Sequence, residues 1–192
     1  DTLQAPDYAA YDPSIKVRYD PELAKQLLAQ SGFTAANPVR FTVQTTRGYK
    51  PKDYETVAAI TAMWKKVGIE ASIEVLDVAK HFDQQLQHAL APVSFYNWGN
   101  AIGDPSTSTG FAFIGPFAVW RSADVENMVG PLFVERDESK RIAGYKAVDR
   151  YLAEQGYVIP LLQYYQPVVH KKSITFTPHG AGTIAPQSIK PV

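Results

Sequence analysis

Asn97, Trp98, Gly99 and Asn100, followed by Asp104-Pro105, place two carboxamides, an indole and a carboxylate within eight residues. An aromatic face flanked by amides and a carboxylate can stack on a flat or apolar ligand surface while the polar groups fix its orientation. Tyr96 adds a second aromatic ring at the start of the run, and Gly99 lets the backbone come close to a bound molecule. The stretch from Ser94 to Trp120 holds seven aromatic residues and four glycines, yet its one charged side chain is Asp104. A core strand explains Val93 and Phe95, and ordinary core packing explains Phe111 and Phe113, but neither accounts for "NWGNAIGDPST". That segment reads as a loop directly after a strand, where ligand contacts are commonly made in alternating α/β structures.

No catalytic constellation accompanies it. The chain lacks a nucleophile elbow, a zinc-protease helix motif, a phosphate loop and a calcium loop. Gly180, Gly182 and Ala185 match a loose dinucleotide pattern, which fails on context because Pro178 precedes it and Pro186 stands where a helix should begin. His81 and His88, seven apart, are too far separated to grip one metal ion unaided and read as exposed helical histidines; His170 and His179 are no better placed. Asp137, Glu138, Asp149 and Glu154 alternate with Lys140, Arg141, Lys146 and Arg150 and read as a solvated helix face. No cofactor and no metal is expected.

The 192 residues, 45% apolar, suffice for one substantial core, and nineteen basic side chains balance nineteen acidic ones. Such a balance argues against nucleic acid or an anionic membrane as partner. Cysteine is absent, which excludes disulfides and thiolate chemistry. No stretch is apolar over the roughly 18 residues of a membrane span.

The elements that must position the loop are well marked. Asp20 and Pro21 open a helix, with Leu23, Leu27 and Leu28 on one face, and Gly32 stops it. Val39, Phe41 and Val43 alternate as a strand. Pro51 opens a second helix with Val57, Ile60, Thr61, Trp64 and Val67 in a stripe, ended by Gly68. Ile69 to Val75 form another strand, and a third helix is expected from about Val78 to Leu90 through Phe82, Leu86 and Ala89. Beyond the aromatic stretch, Asp124 to Phe133 and Asp137 to Gln155 read as helices, and "YVIPLLQYY" as a short strand with Pro160 near an edge. The fold class is α/β, a mixed sheet flanked by helices. No internal repeat occurs.

Four blocks resemble the family of extracytoplasmic solute-binding proteins that serve ABC importers of dipeptides, oligopeptides and nickel complexes. They are "YDPELAKQLLAQSGF" (Tyr19 to Phe33), "YETVAAITAMWKKVGIEASIEVLD" (Tyr54 to Asp77), "NWGNAIGDP" (Asn97 to Pro105) and "ERDESKRIAGYKAVDRYLAEQGYVIPLLQ" (Glu135 to Gln163). The resemblance implies the second lobe of a type II periplasmic binding protein, with residues 1–19 as an inter-lobe lead-in, 20–172 as the ligand-binding lobe and 173–192 as a return toward a missing N-terminal lobe. It also implies a small-molecule solute, ABC permease subunits as partners, a periplasmic or other extracytoplasmic location, and no enzymatic activity. The implied ligand contacts are Tyr96, Asn97, Trp98, Gly99, Asn100, Ala101 and Asp104. In peptide-binding relatives a carboxylate three residues after the tryptophan pairs with the peptide's ammonium; here that position is Ala101, which points away from simple peptides and toward a saccharide or conjugate unless Asp104, or a group on the absent lobe, takes the ammonium. Two other readings compete: a protein-recognition module anchored by Phe111, Phe113, Phe117 and Trp120, and an α/β enzyme with Asp104 as catalytic carboxylate.

Overall fold

A computed structural model describes residues 2–100, 102–164, 167–177 and 184–192. The chain divides into two compact units, one formed by Arg18–Asn97 with Pro116–Trp120, the other by Asp1–Val17, Trp98–Gly115 and Arg121–Val192.

The first of these is the α/β unit. Helix α1 (Pro21–Gln30) starts as the sequence predicts: the Asp20 carboxylate accepts a hydrogen bond from the Leu23 amide at 2.8 Å, and Gly32 takes the left-handed conformation that ends it. Its leucine face is not buried, and Leu27 is 52% exposed. Strands β1 (Val39–Thr45), β2 (Ile69–Val75) and β3 (Val93–Ser94) form a parallel sheet in the order β2-β1-β3. Val43 stands opposite both Ile73 and Val93. Parallel neighbours require crossovers, which α2 (Asp53–Lys65) and α3 (Val78–Leu86) supply. One face of the sheet is packed by α2, where Val57 is buried and Trp64 meets Phe41 edge-on at 5.4 Å. The other carries a polar ladder, Arg40 with Glu70, Thr42 with Ser72 and Gln44 with Glu74.

Helix α3 departs from expectation. It stops at Leu86, and the backbone turns left-handed at His88. Its buried residues are His81 and Gln85, while Leu86 is 49% exposed. Polar anchoring decides this rotation: Gln85 accepts from the Tyr96 hydroxyl at 2.6 Å and donates to the Phe117 carbonyl, and the His81 ring stacks on Tyr96 with centroids 5.3 Å apart. His81 is therefore a buried histidine and not the exposed one that its spacing implied.

The other unit packs α4 (Thr109–Phe113), α5 (Ala123–Val129) and α6 (Glu138–Glu154) against the chain's first residues. Its core gathers Ala10, Ile15, Phe113, Val125, Val129, Tyr145, Val148 and Leu152, all buried. Helix α5 continues as a tighter turn through Gly130–Phe133, within the helical stretch expected there. Gly144 on α6 admits no larger residue without moving Leu132, whose Cδ2 lies 2.3 Å from where a Cβ would stand. Asp149, expected on a solvated face, is buried because α6 turns it inward beside Thr109. The expected strand over Tyr157–Tyr165 is absent across 157–164, Tyr165 lying outside the described residues; Pro160 removes a donor and no described strand lies alongside to pair with it. Downstream, β4 (Ile174–Thr175) and β5 (Lys190–Pro191) pair antiparallel. Pro178, His179, Gly180 and Gly182 lie outside the described residues; Ala185 leads into a single tight turn, Pro186–Ser188. No described helix is long and apolar enough to cross a membrane.

Candidate functional site

The loop from Trp98 to Ser108 is built around Asn100. Its Nδ2 donates to the Asp104 carbonyl (2.9 Å) and to Ser108 Oγ (3.3 Å). Its Oδ1 accepts from the amides of Ile102 (3.3 Å) and Gly103 (2.7 Å) and from Thr107 Oγ1 (2.7 Å), whose single proton it shares with the Asp104 carbonyl. The Asn100 carbonyl accepts from the Tyr8 hydroxyl at 3.0 Å. Gly103 takes φ +74° beside the Tyr8 ring, a backbone conformation that would strain any larger residue. Asn100 thus uses its carboxamide to fold the loop on itself.

Trp98 is half-buried, and its indole N–H donates to the Thr107 carbonyl at 2.6 Å. With the donor used, what the indole can still offer a ligand is ring surface. Asp104 caps the turn Pro105–Thr107 by accepting from the Ser106 amide at 2.9 Å, and both of its oxygens meet Arg141 Nη1, at 2.8 and 2.7 Å. Burial acts to raise the Asp104 carboxyl, but hydrogen bonds from Ser106 and the Arg141 guanidinium outweigh it and hold the group below the ordinary carboxylate value. A carboxylate so clamped is a poor proton carrier and has little charge left for an ammonium. Gly99 is exposed, and Ala101 lies outside the described residues.

A relay of buried polar groups runs inward from the loop. Ser108 Oγ donates to Gln4 Oε1 (3.0 Å), Gln4 Nε2 donates to Thr109 Oγ1 (2.7 Å), and Thr109 Oγ1 donates to Asp149 Oδ1 (2.6 Å). Burial pushes the Asp149 carboxyl up to about 6 against the hydrogen bonds from Thr109 and Gln4. Asp149 Oδ2 and the Tyr145 hydroxyl are buried with no hydrogen-bond partner. Burial likewise raises Tyr145, to about 12. Sequence reading missed this relay because its members are scattered from Gln4 to Asp149 and none belongs to a motif.

Tyr96 and Asn97 belong to the α/β unit, while Trp98, Gly99, Asn100 and Asp104 belong to the other. In the α/β unit, Thr46, Tyr49, Lys50, His81, Phe95, Tyr96 and Asn97 line a recess of about 20 Å³. The turn that leads into it is fixed by Asp53, whose carboxylate accepts from the amides of Gly48, Tyr49 and Lys50 and from Thr46 Oγ1 at 2.8 to 3.1 Å. These bonds overcome burial and hold Asp53 far below its ordinary value. The His81 Nδ1 is buried without a partner, and burial, followed by the nearby Lys50 charge, lowers its affinity for a proton. The Lys50 ammonium sits 3.9 Å over the Tyr49 ring.

Residues 1–115 match the family described as bacterial extracellular solute-binding proteins, family 5 Middle. The chain belongs to this family. It is 27% identical over 176 aligned residues to di/tripeptide-binding protein 3 of Pseudomonas aeruginosa, covering 85% of this chain and 32% of that protein. It is 25% identical over 156 to the probable deoxycholate-binding periplasmic protein YgiS of Escherichia coli, covering 77% and 27%. The solved structure of the Escherichia coli murein tripeptide binding protein MppA superposes with a TM-score of 0.74 at 18% identity, over 95% or more of this chain (97%) and 38% of that one. The α/β fold is that of a portion of family-5 binding proteins, which are binding proteins and not enzymes. The chain spans about a third of the length of the curated relatives it matches.

Proposed function

We propose that this chain is the ligand-gripping lobe of an extracytoplasmic solute receptor that delivers a small solute to an ABC importer. The observation that carries the reading is the family match over residues 1–115, which takes in the Trp98 loop. In this reading Trp98 stacks on the solute, Gly99 contributes a backbone contact beside it, and Asn100 and Asp104 hold the loop in shape; Tyr96 and Asn97 are contacts offered by the α/β unit. The lobe closes with a partner lobe because the solute touches both better in the closed state than in the open one. Permease subunits of the importer then receive the closed form outside the cytoplasmic membrane.

One relative is named for di- and tripeptides and another for deoxycholate, so membership leaves the solute class open. The side chain at position 101 is a methyl group, and Arg141 neutralises Asp104. An ammonium placed at this loop would lose a charge-assisted bond contributing about 1.5 to 3 kcal/mol. The solute is accordingly of peptide-like size without a free ammonium at this point: an N-blocked peptide, a saccharide or a conjugate.

Mass spectrometry of small molecules released on denaturing the gently purified receptor names the solute. Trp98→Ala should then weaken its binding by about 2 kcal/mol, roughly 30-fold, with an unchanged circular dichroism spectrum. An unchanged dissociation constant would remove Trp98 from the site, and a free-amine peptide among the released molecules would refute the reading of Ala101.

A further inference from the structure

We propose that Gln4 is a positioning residue for the Trp98 loop: its carboxamide, set between Ser108 and Thr109, fixes the shape in which the loop presents its indole. The two partners lie 104 and 105 positions further along the chain. The proposal rests on the receptor reading above for the loop's purpose, and on hydrogen bonds within a single compact unit for its geometry. Gln4, Ser108 and Thr109 are all buried. A carboxamide at that depth is costly unless both of its ends are bonded, so its position demands a use for each.

The direction of the relay is set at both ends. Asp149 Oδ1 lies 2.6 Å from Thr109 Oγ1, and an ionised carboxylate only accepts, so Thr109 gives its one proton there. Thr109 is then an acceptor toward Gln4, which must turn Nε2 to it and Oε1 to Ser108. Ser108 gives its proton to Oε1 at 3.0 Å, with the Pro105 carbonyl a second acceptor at 3.3 Å, and accepts from Asn100 Nδ2. That leaves Asn100 Oδ1 facing the amides of Ile102 and Gly103, which only donate. Followed from the loop inward, those amides require the same orientation of every group. Gln4 joins the two halves because it offers an acceptor to one hydroxyl and a donor to the next.

The same segment of chain holds the loop at a second point. The Tyr8 hydroxyl donates to the Asn100 carbonyl at 3.0 Å, and its ring lies beside Gly103. The segment is itself anchored, since Ala10 and Ile15 are buried and Asp12 accepts from Arg150 at 2.7 Å. Tyr8 thus holds the loop at Asn100 and Gln4 holds it at Ser108. Between them lies Thr107, whose carbonyl accepts the Trp98 indole N–H at 2.6 Å. The indole therefore takes its angle from residues that need not touch the solute.

The probe is the Trp98 indole proton, observed by NMR in protein carrying labelled tryptophan and identified by its loss in Trp98→Phe. Gln4→Met keeps the length of the side chain and removes both bonds. It should shift the Trp98 indole resonance and quicken its hydrogen exchange about tenfold, the effect of one lost hydrogen bond, while the Trp64 indole of the α/β unit stays in place. Thr109 separates positioning from mere filling of space: Thr109→Val, of nearly the same shape, should reproduce the shift, and Thr109→Ser, which keeps the hydroxyl, should not. An indole unmoved by Gln4→Met, or moved equally by Thr109→Val and Thr109→Ser, overturns the proposal; where Gln4→Met does not fold, the Thr109 pair decides by the same criterion. If the indole is unmoved by Gln4→Met while Trp98→Ala abolishes the solute released on denaturation, the positioning role falls and the receptor reading stands. If Gln4→Met moves the indole but Trp98→Ala releases the same solute as the parent protein, the positioning role stands and the assignment of Trp98 to the solute falls.

Discussion

Asn100 and His81 are both polar side chains set among aromatic rings, and they are used in opposite ways. The Asn100 side chain makes five hydrogen bonds, all within its own loop. His81 is more deeply buried, and its Nδ1 makes none. A polar group whose capacity is spent internally shapes a surface, whereas one buried and left unsatisfied carries the cost of its desolvation. The Asn100 carboxamide therefore shapes the Trp98 loop, while the buried His81 Nδ1 leaves hydrogen-bonding capacity unused. Tyr145 and Asp149 also keep unpartnered buried atoms. For them, the unused capacity is a cost to stability.

The largest test of this contrast is Asn100→Ala. Removing the carboxamide strands the amides of Ile102 and Gly103 and frees the backbone of a glycine-containing loop, costing about 3 to 4 kcal/mol of local stability. Amide hydrogen exchange of Ile102 and Gly103 should accelerate by about two to three orders of magnitude. Retained protection would show that Asn100 is not what holds the loop, and its amide would return to the list of ligand contacts.

Asp149 comes next. Its folded-state value of about 6 stands above the ordinary carboxylate value, so the folded protein binds the proton more tightly than the unfolded chain does. The protonated form is favoured by folding at low pH, and that contribution is lost as pH rises between about 4 and 6. The loss amounts to about 2 to 3 kcal/mol by pH 7. Urea unfolding of Asp149→Asn should show a flatter dependence over that window than the parent protein; identical curves would mean that Asp149 has a partner that relieves its burial.

How much of this was legible in the sequence follows from the range of each interaction. The cap at Asp20, the Trp64 stripe on α2 and the strand alternation of Val39 to Val43 are local patterns, and each appears as read. The aromatic loop was legible as a loop with chemistry. What its polar residues do was not, because Arg141 lies 37 positions from Asp104. The inward turn of His81 was hidden by Gln85 and Tyr96, since a helical apolar stripe through Phe82 and Leu86 predicts a different face. Asp149 sat in a charge-rich helix whose pattern gives no hint that one carboxylate turns toward Thr109. In each case the information is in a distant side chain that selects the polar residue over its apolar neighbour.

The smallest effect is also the one of opposite sign. Tyr145 buries its ring in the core of α4 to α6, where it contributes packing, but its hydroxyl has no partner and lies close to Gly110, whose added Cβ would stand 3.2 Å from it. The hydroxyl paid desolvation without a hydrogen bond in return, so Tyr145→Phe keeps the ring and removes the penalty. It should raise stability by up to about 1 kcal/mol, read as an upward shift of the urea midpoint with an unchanged slope. His81→Phe offers the matched comparison, since it also removes unpartnered buried polarity. His81→Phe should likewise raise the urea midpoint, and a fall in either midpoint would show that the removed polar atom has a partner in the folded protein.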